Sequence, residues 1–201
     1  GFRGEALPSI AAVSRLNIIS RESSAENAWS LSIEGNALGK LAPAAHPPGT
    51  TVSVRDLFYA TPARLKFLKT ERTESGHIAD TISRLAMARS DIDFTLIDSG
   101  REVLRAPVAA DMLDPRLSRL ALVIGRDFAD NALVVDAERE GVRLTGYACL
   151  PTFNRATARQ QYLFINGRPV RDRLLVGAVR GAYHDFLGGG RHPVLALFLE
   201  L

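Results

Sequence analysis

The chain carries the stretch GFRGEAL at residues 1–7, where two glycines precede a predicted helix. Two glycines frame a turn, and a helix is predicted to follow because Leu7, Ile10, Ala11 and Ser14 recur at the spacing of one helical face. Backbone N–H groups at a helix N-terminus, approached through glycines, form a common site for phosphate. No lysine follows at the spacing of a P-loop. The stretch therefore has two interpretations, half of a phosphate site or a tight turn that only leads into a helix.

Outward from that stretch, strand-like segments alternate with amphipathic helices. Strands are predicted at residues 17–21, 29–34, 50–57, 92–97, 102–105, 133–137, 142–150, 161–165 and 194–201. Helices are predicted after the pair Thr61-Pro62, near residues 75–89, and after Asp114 and Asp172. Two of these helices are predicted to bury one face each, formed by Ile78, Ile82, Leu85 and Ala86, and by Leu175, Val179, Ala182 and Phe186. The element order predicts an α+β protein with two domains, residues 1–109 and 110–201, divided within residues 107–111.

Composition excludes several classes of protein. The chain has 201 residues, of which 46% are hydrophobic and 23% charged, which is typical of a globular protein and not of a disordered one. No apolar run is long enough for a transmembrane helix. The single Cys149 forms no internal disulfide, so a reducing, cytoplasmic location is predicted. The four histidines lie far apart in the sequence, so no metal site is predicted.

Positive charge is concentrated in two segments. Residues 55–72 contain five Lys or Arg against two acidic residues, and residues 155–173 contain five Arg against one. Such segments on an otherwise mildly acidic chain are typical of a surface that binds a polyanion. They are equally typical of two solvated faces. Charge alone leaves both interpretations open.

The second basic segment has a defined local geometry. The pair Asn166-Gly167 predicts a hairpin turn that leads towards a helix start at Asp172. Around this turn, Arg168, Arg171 and Arg173 lie within six residues. Guanidinium groups on such a scaffold suit phosphate contacts, which position nucleic acid without reading its sequence. The alternative is a solvated turn in which Asp172 pairs with a neighbouring arginine.

Three segments together identify a family resemblance. They are GFRGEAL at residues 1–7 with Ser9-Ile10, DLFY at 56–59 with TPAR at 61–64 and KFL at 66–68, and NGR at 166–168 with Arg171-Asp172. Their order and spacing resemble the MutL family of DNA mismatch-repair ATPases over essentially the whole chain. The resemblance implies the C-terminal half of a GHKL-type ATPase sandwich in residues 1–109, followed by a ribosomal-protein-like transducer domain in residues 110–201. It also implies an internal fragment of a bacterial protein that lacks the C-terminal end of the transducer domain.

The resemblance implies a set of ATP-contacting residues. They are the end of the ATP lid and the start of the phosphate-contacting helix, Gly1, Phe2, Arg3, Gly4, Glu5, Ala6 and Leu7, together with Thr50 near the adenine. In the family, the general-base glutamate and an Asp-x-Gly-x-Gly motif precede this region, and a catalytic lysine follows it. No catalytic or metal-binding residue is therefore assigned, and this chain alone is not expected to hydrolyse ATP. ATP and Mg²⁺ are expected in the longer protein, with neither bound to this chain alone.

The resemblance further implies a DNA-binding surface and repair partners. The predicted DNA contacts are Arg173, Arg168, Arg171, Lys69 and Arg84. The implied function is an ATP-dependent, dimerising matchmaker that couples a MutS-like mismatch recognition protein to a downstream nuclease or helicase. Two alternatives stay open, a structural dimerisation module and the transducer region of another GHKL ATPase such as a topoisomerase. The motifs at 62–64 and 66–68 favour the MutL family over the topoisomerases.

Overall fold

The computed structural model of the chain describes residues 4–35, 37–109 and 113–201, which belong to two units, Gly1–Thr70 and Glu71–Leu201. The division between these units falls at the start of a long helix. That helix and the hairpin after it, residues 71–106, belong to the second unit. The domains predicted from the sequence, 1–109 and 110–201, stay a prediction, and residues 110–112 of their boundary lie outside the described residues.

The first unit is an antiparallel sheet with two short helices. Helix α1 spans Ala6–Ala11 and helix α2 spans Pro62–Leu65. The strands are β1 (Arg15–Arg21), β2 (Ala28–Glu34), β3 (Ala37–Leu38), β4 (Ala42–Ala44) and β5 (Gly49–Arg55). Their order is β3-β2-β1-β5, and β4 pairs with the end of β2. Ile18 lies opposite both Leu31 and Val52, so these three aliphatic side chains share one face of the sheet, whereas Asn17, Ser32 and Ser53 share the other.

The DLFY segment after β5 turns sharply beside β1. Asp56 and Phe58 both have a left-handed backbone, with φ of 52° and 68°, which is uncommon for residues other than glycine. Arg15 on β1 holds this turn, because its Nη1 donates to the carboxylate of Asp56 at 2.6 Å. Its guanidinium also lies 4.8 Å from the centre of the Tyr59 ring. The motif that carried part of the family resemblance is thus a strained turn fixed by an arginine.

The second unit is built around a five-stranded sheet. Its helices are α3 (Glu71–Ala88), α4 (Pro115–Ile124), α5 (Arg126–Asn131) and α6 (Arg173–Ala182). Its strands are β6 (Phe94–Asp98), β7 (Arg101–Ala106), β8 (Ala132–Arg139), β9 (Val142–Cys149), β10 (Asn154–Arg155), β11 (Gln161–Ile165), β12 (Arg168–Val170), β13 (His192–Pro193) and β14 (Leu195–Glu200). The main sheet has the order β12-β11-β14-β9-β8, whereas β6-β7 and β10-β13 form separate pairs. Strand β14 is central and runs parallel to β11 and antiparallel to β9.

Aromatic stacking and one glycine determine how the central strands pack. The rings of Phe164 and Phe198 stack with centroids 4.5 Å apart, in a core that also contains Phe128. Gly146 on β9 has φ of +128°, and a Cβ there would overlap the carbonyl oxygen of Ala196 on β14. The close approach of these strands therefore requires glycine at this position.

The local signals in the sequence are confirmed. The predicted hairpin at Asn166-Gly167 is present, and both residues have positive φ. The turn at Glu140-Gly141, which joins β8 to β9, also has positive φ at both residues. Asp114 caps α4, accepting from the backbone N–H of Leu117 at 2.9 Å. The strand predicted at 194–201 is β14 at the centre of its sheet. The mixed element content confirms the α+β class.

Two predicted buried faces are wrong in part. Ala86 of α3 is buried as predicted, but Ile78 and Leu85 are 52% and 39% exposed, because the inward face carries Arg84 and Met87 beside Ala86. Phe186 is 69% exposed, since α6 ends at Ala182 and the residues beyond it leave the helical face. Helix α5 was absent from the sequence-based prediction.

Candidate functional site

The predicted phosphate-contacting turn is described from Gly4 onward, and Gly1, Phe2 and Arg3 lie outside the described residues. Gly4 has φ of +85°, and the space where a Cβ would stand is open. Glu5 occupies the N-cap position of α1, and its side chain makes no capping hydrogen bond. The first N–H groups of a helix have no partner within the helix, and Gly4, Glu5, Ala6 and Leu7 are all exposed. This geometry fits the predicted phosphate contact.

The other predicted ATP contact, Thr50, lies at the start of β5. It is exposed and stands opposite Ser20, with the two hydroxyl oxygens 2.7 Å apart. The neighbouring Thr51 points to the other face, where its hydroxyl lies 2.7 Å from Nε2 of His46. Thr50 therefore shares the face of the sheet that carries Ile18 and Val52. Its contact with adenine stays a prediction.

Two of the predicted DNA contacts are exposed around the start of α6. Arg168 begins β12 and Arg173 begins α6, and both side chains face solvent. Asp172 between them caps α6, since its carboxylate accepts from the backbone N–H groups of Leu174 and Leu175 at 2.8 and 3.1 Å. Among the ion pairs of the described residues, Asp172 has none with a neighbouring arginine, and its contacts are these capping hydrogen bonds. The cap orients the first turn of α6, and with it Arg173.

The remaining two arginines of the predicted set meet at one carboxylate. Oδ2 of Asp80 accepts from Nη2 of Arg171 at 2.6 Å and from Nε of Arg84 at 2.9 Å. Burial acts to raise the pKa of Asp80, but the two guanidinium groups outweigh it, so this pKa lies below its usual value. The side chain of Arg84 is only 10% exposed and lies 4.9 Å from the centre of the Tyr162 ring. Its guanidinium is thus directed at Asp80 and Tyr162, an orientation that does not favour the predicted role of Arg84 in DNA binding.

A groove of about 720 Å³ adjoins this carboxylate. Helix α3 forms one side. The 3-10 turn Ala158–Gln160, strands β11 and β12, Arg171 just after β12, and Val176 of α6 contribute the other residues. Four arginines line it against one acidic side chain, Asp80; they are Arg72, Arg84, Arg159 and Arg171. Sequence reasoning placed Arg72 and Arg159 in two separate basic segments and did not assign them to a site. No sequence signal indicated that α3 packs beside β12.

Lys69 belongs to the other unit. It is exposed just after α2, near the end of the unit Gly1–Thr70. Arg84 and Arg171 therefore line one groove. Arg168 and Arg173 are close to Arg171 in the sequence. Lys69 belongs to a different unit from these four arginines.

Comparison with known proteins decides the family. Residues 120–201 match the family model described as the C-terminal domain of DNA mismatch repair protein. The whole chain aligns at 64% identity over 204 residues with the DNA mismatch repair protein MutL of Paramagnetospirillum magneticum, and at 58% over 202 residues with that of Rhodospirillum rubrum. The chain belongs to the MutL family. The resemblance inferred from the three sequence segments is thereby confirmed, and the chain spans about a third of the length of these curated MutL relatives, 33% and 32%.

Solved structures agree with this membership of the MutL family. The Aquifex aeolicus MutL ATPase domain complexed with ADP matches with a TM-score of 0.78 at 27% identity, over 98% of this chain and 71% of that one. The B-subunit of DNA gyrase from Myxococcus xanthus matches with a TM-score of 0.50 at 14% identity, over 96% of this chain and 58% of that one, a likeness of fold alone. These matches confirm the predicted GHKL-type fold. Among the helices of the described residues, none is long and apolar enough to cross a membrane.

Proposed function

We propose that this chain forms part of the ATPase region of a MutL-type protein that acts in DNA mismatch repair and binds duplex DNA. In this proposal the protein is cytoplasmic and links a MutS-like mismatch recognition protein to a downstream nuclease or helicase. Two copies pair through the ATPase region when ATP is bound, as an order–disorder switch would allow. Membership of the MutL family supports the repair assignment.

One observation carries the DNA-binding part of the proposal, the clustering of arginines in the second unit. Arg72, Arg159 and Arg171 line one groove, and Arg168 and Arg173 are exposed close to Arg171 in the chain. Arg72 lies on α3, Arg159 in a 3-10 turn, and the other three in or next to β12 and the start of α6, so the fold brings Arg72 and Arg159 to the groove of Arg171 from distant parts of the sequence. Such a surface suits a phosphate backbone, which supplies most of the affinity of non-specific DNA binding.

Nucleotide binding is the second part of the proposal. The similar ATPase domain from Aquifex aeolicus was solved with ADP. In this chain the exposed turn at Gly4 and the start of α1 would hold the phosphates, and Thr50 would lie near the adenine. The open space at Gly4 and the uncapped N–H groups of α1 support this placement. When bound to the longer protein, ATP would supply free energy through its binding and its hydrolysis.

The DNA-binding part is tested by titrating a fluorescently labelled duplex with this chain at several salt concentrations. If about three phosphates are neutralised, the slope of log K against log salt is about −2.7. Arg173→Glu is expected to weaken binding at every salt concentration, since it reverses an exposed charge at the start of α6. Arg139→Glu is the control, because it makes the same charge reversal at a side chain that is 89% exposed and lies at the end of the edge strand β8.

Two results would contradict DNA binding by this surface. One is a wild-type chain that does not bind duplex at low salt. The other is an Arg173→Glu variant that binds as tightly as the Arg139→Glu control. Nucleotide binding is tested separately by calorimetric titration of the longer protein with ADP, where Gly4→Val is expected to weaken affinity because Gly4 has φ of +85°.

A further inference from the structure

The pairing of Arg171 with Asp80 bears directly on DNA binding. Nη2 of Arg171 donates to Oδ2 of Asp80 at 2.6 Å, although the Arg171 side chain is 73% exposed. A carboxylate and a phosphate offer a guanidinium the same kind of anionic oxygen. A donor that is engaged by Asp80 is therefore not available to a nucleic-acid phosphate at the same time.

The two arginines bound to Asp80 differ in their freedom to move. Arg84 is buried, its Nε bonds the same carboxylate oxygen at 2.9 Å, and its guanidinium stacks near the Tyr162 ring. Arg171 is exposed and approaches Asp80 from the solvent side of the groove. If the Asp80–Arg171 pair opens, Asp80 keeps the buried Arg84 as a partner, while Arg171 becomes available to an external anion. The exchange therefore leaves no buried charge unpaired.

We propose that Asp80 is a built-in competitor of the DNA phosphate, which occupies Arg171 in the free protein and so reduces the affinity of this surface for DNA. This inference rests on the DNA binding proposed above. Asp80 then limits the affinity of this surface for DNA. When DNA binds, Arg171 moves from the carboxylate of Asp80 to a phosphate. Arg168 and Arg173, which have no such carboxylate partner among the contacts of the described residues, contribute to affinity without this exchange.

The test is a double-mutant cycle on the whole chain, with a labelled duplex as the probe. Asp80→Asn is expected to tighten binding by about threefold or more, because Arg171 no longer has to leave a carboxylate before it contacts a phosphate. Arg171→Gln alone is expected to change affinity by less than about twofold, and in the Asp80→Asn background to remove the gain. The matched control is Asp136→Asn, which removes the same charge from a carboxylate that pairs with the exposed Arg143 at 3.4 Å on the opposite edge of the sheet.

The outcomes distinguish a failure of this inference from a failure of the proposed function. A wild-type chain that does not bind duplex would overturn both. Binding by the wild type, with Asp80→Asn no tighter than Asp136→Asn, would overturn the competition alone, because the effect would be one of net charge. If Asp80→Asn does not fold by circular dichroism, Arg171→Gln is compared with Arg168→Gln in the wild-type background. Competition predicts the smaller loss of affinity for Arg171→Gln, and equal losses would contradict it.

Discussion

Nη1 of Arg119 donates a hydrogen bond to the carbonyl oxygen of Ala86 at 2.9 Å, and both residues are almost completely buried. The same guanidinium contacts the carbonyl oxygens of Arg89, Ser90, Ile92 and Pro107 at 2.8 to 3.3 Å. These acceptors lie at the C-terminal end of α3 and beside the hairpin β6-β7, where a helix leaves its last carbonyl groups without partners. Burial lowers the pKa of Arg119 from its usual value. One buried cation thus joins α4 to the end of α3.

Arg119→Met is expected to destabilise the chain by at least about 3 kcal/mol, because it leaves several buried carbonyl groups without donors. Equilibrium unfolding in urea, followed by circular dichroism, measures the change. The control is Arg139→Met, since Arg139 is 89% exposed and should change stability by less than about 0.5 kcal/mol. Equal midpoints for the two variants would show that the buried hydrogen bonds of Arg119 contribute little.

Gly146→Ala is expected to destabilise the second unit by at least about 2 kcal/mol. The new Cβ would overlap the carbonyl oxygen of Ala196, and φ of +128° is strained for alanine. The matched control is Gly177→Ala in α6, where no atom lies within 4 Å of the new Cβ and alanine is the better helix former. In thermal unfolding, the midpoint of Gly146→Ala should lie below that of the wild type and the midpoint of Gly177→Ala above it. A Gly146→Ala variant as stable as wild type would contradict the close strand approach.

Cys149 is expected to be almost unreactive towards thiol reagents in the folded chain. It is 1% exposed, and burial raises its pKa to about 11. At pH 8 the thiolate is therefore a small fraction, and the reagent cannot reach the sulfur. Reaction with Ellman's reagent, followed at 412 nm, should be slow in buffer. In urea it should be complete within minutes, at about the rate of a free thiol. Stoichiometric reaction without denaturant would show that Cys149 is accessible.

Asp80 is expected to contribute to stability only above acidic pH. Its pKa in the folded chain lies below the usual 3.8, so the folded state favours the charged carboxylate. The contribution is complete above pH 3.8 and is lost as the pH falls through the lowered pKa. The difference in unfolding midpoint between wild type and Asp80→Asn should therefore be constant near neutral pH and shrink below 3.8. A difference that persists unchanged into strong acid would indicate that the carboxylate charge is not its source.

Local chemistry made much of the fold predictable. The Asn166-Gly167 turn requires positive φ at both residues, and few pairs tolerate it as well. Asp114 and Asp172 precede helices and accept from their first N–H groups, as short polar caps do. Each signal acts within four residues, so it needs no knowledge of the tertiary structure.

Faces and partners were predicted less well. The apolar spacing of α3 indicated burial of Ile78 and Leu85, whereas the face turned inward carries Arg84 and Met87. Hydrophobic periodicity identifies a stripe on a helix, but the elements that pack on that helix decide which stripe is covered. The burial of Arg119 had no sequence signal at all, because its acceptors are backbone carbonyl groups.

The sequence alone was sufficient to establish the family, the α+β class, and several of the caps and turns at which the main helices and strands begin and end. These features depend on short motifs and on interactions between near neighbours in the chain. Only the tertiary structure decided that Asp80 lies between Arg84 and Arg171, and that Arg72 and Arg159 line the same groove. Asp80 and Arg171 are 91 positions apart, and their contact depends on packing between distant elements, which no local pattern encodes. The charge of the candidate site could therefore be counted from the sequence, but its arrangement, in which one carboxylate occupies two arginines, could not.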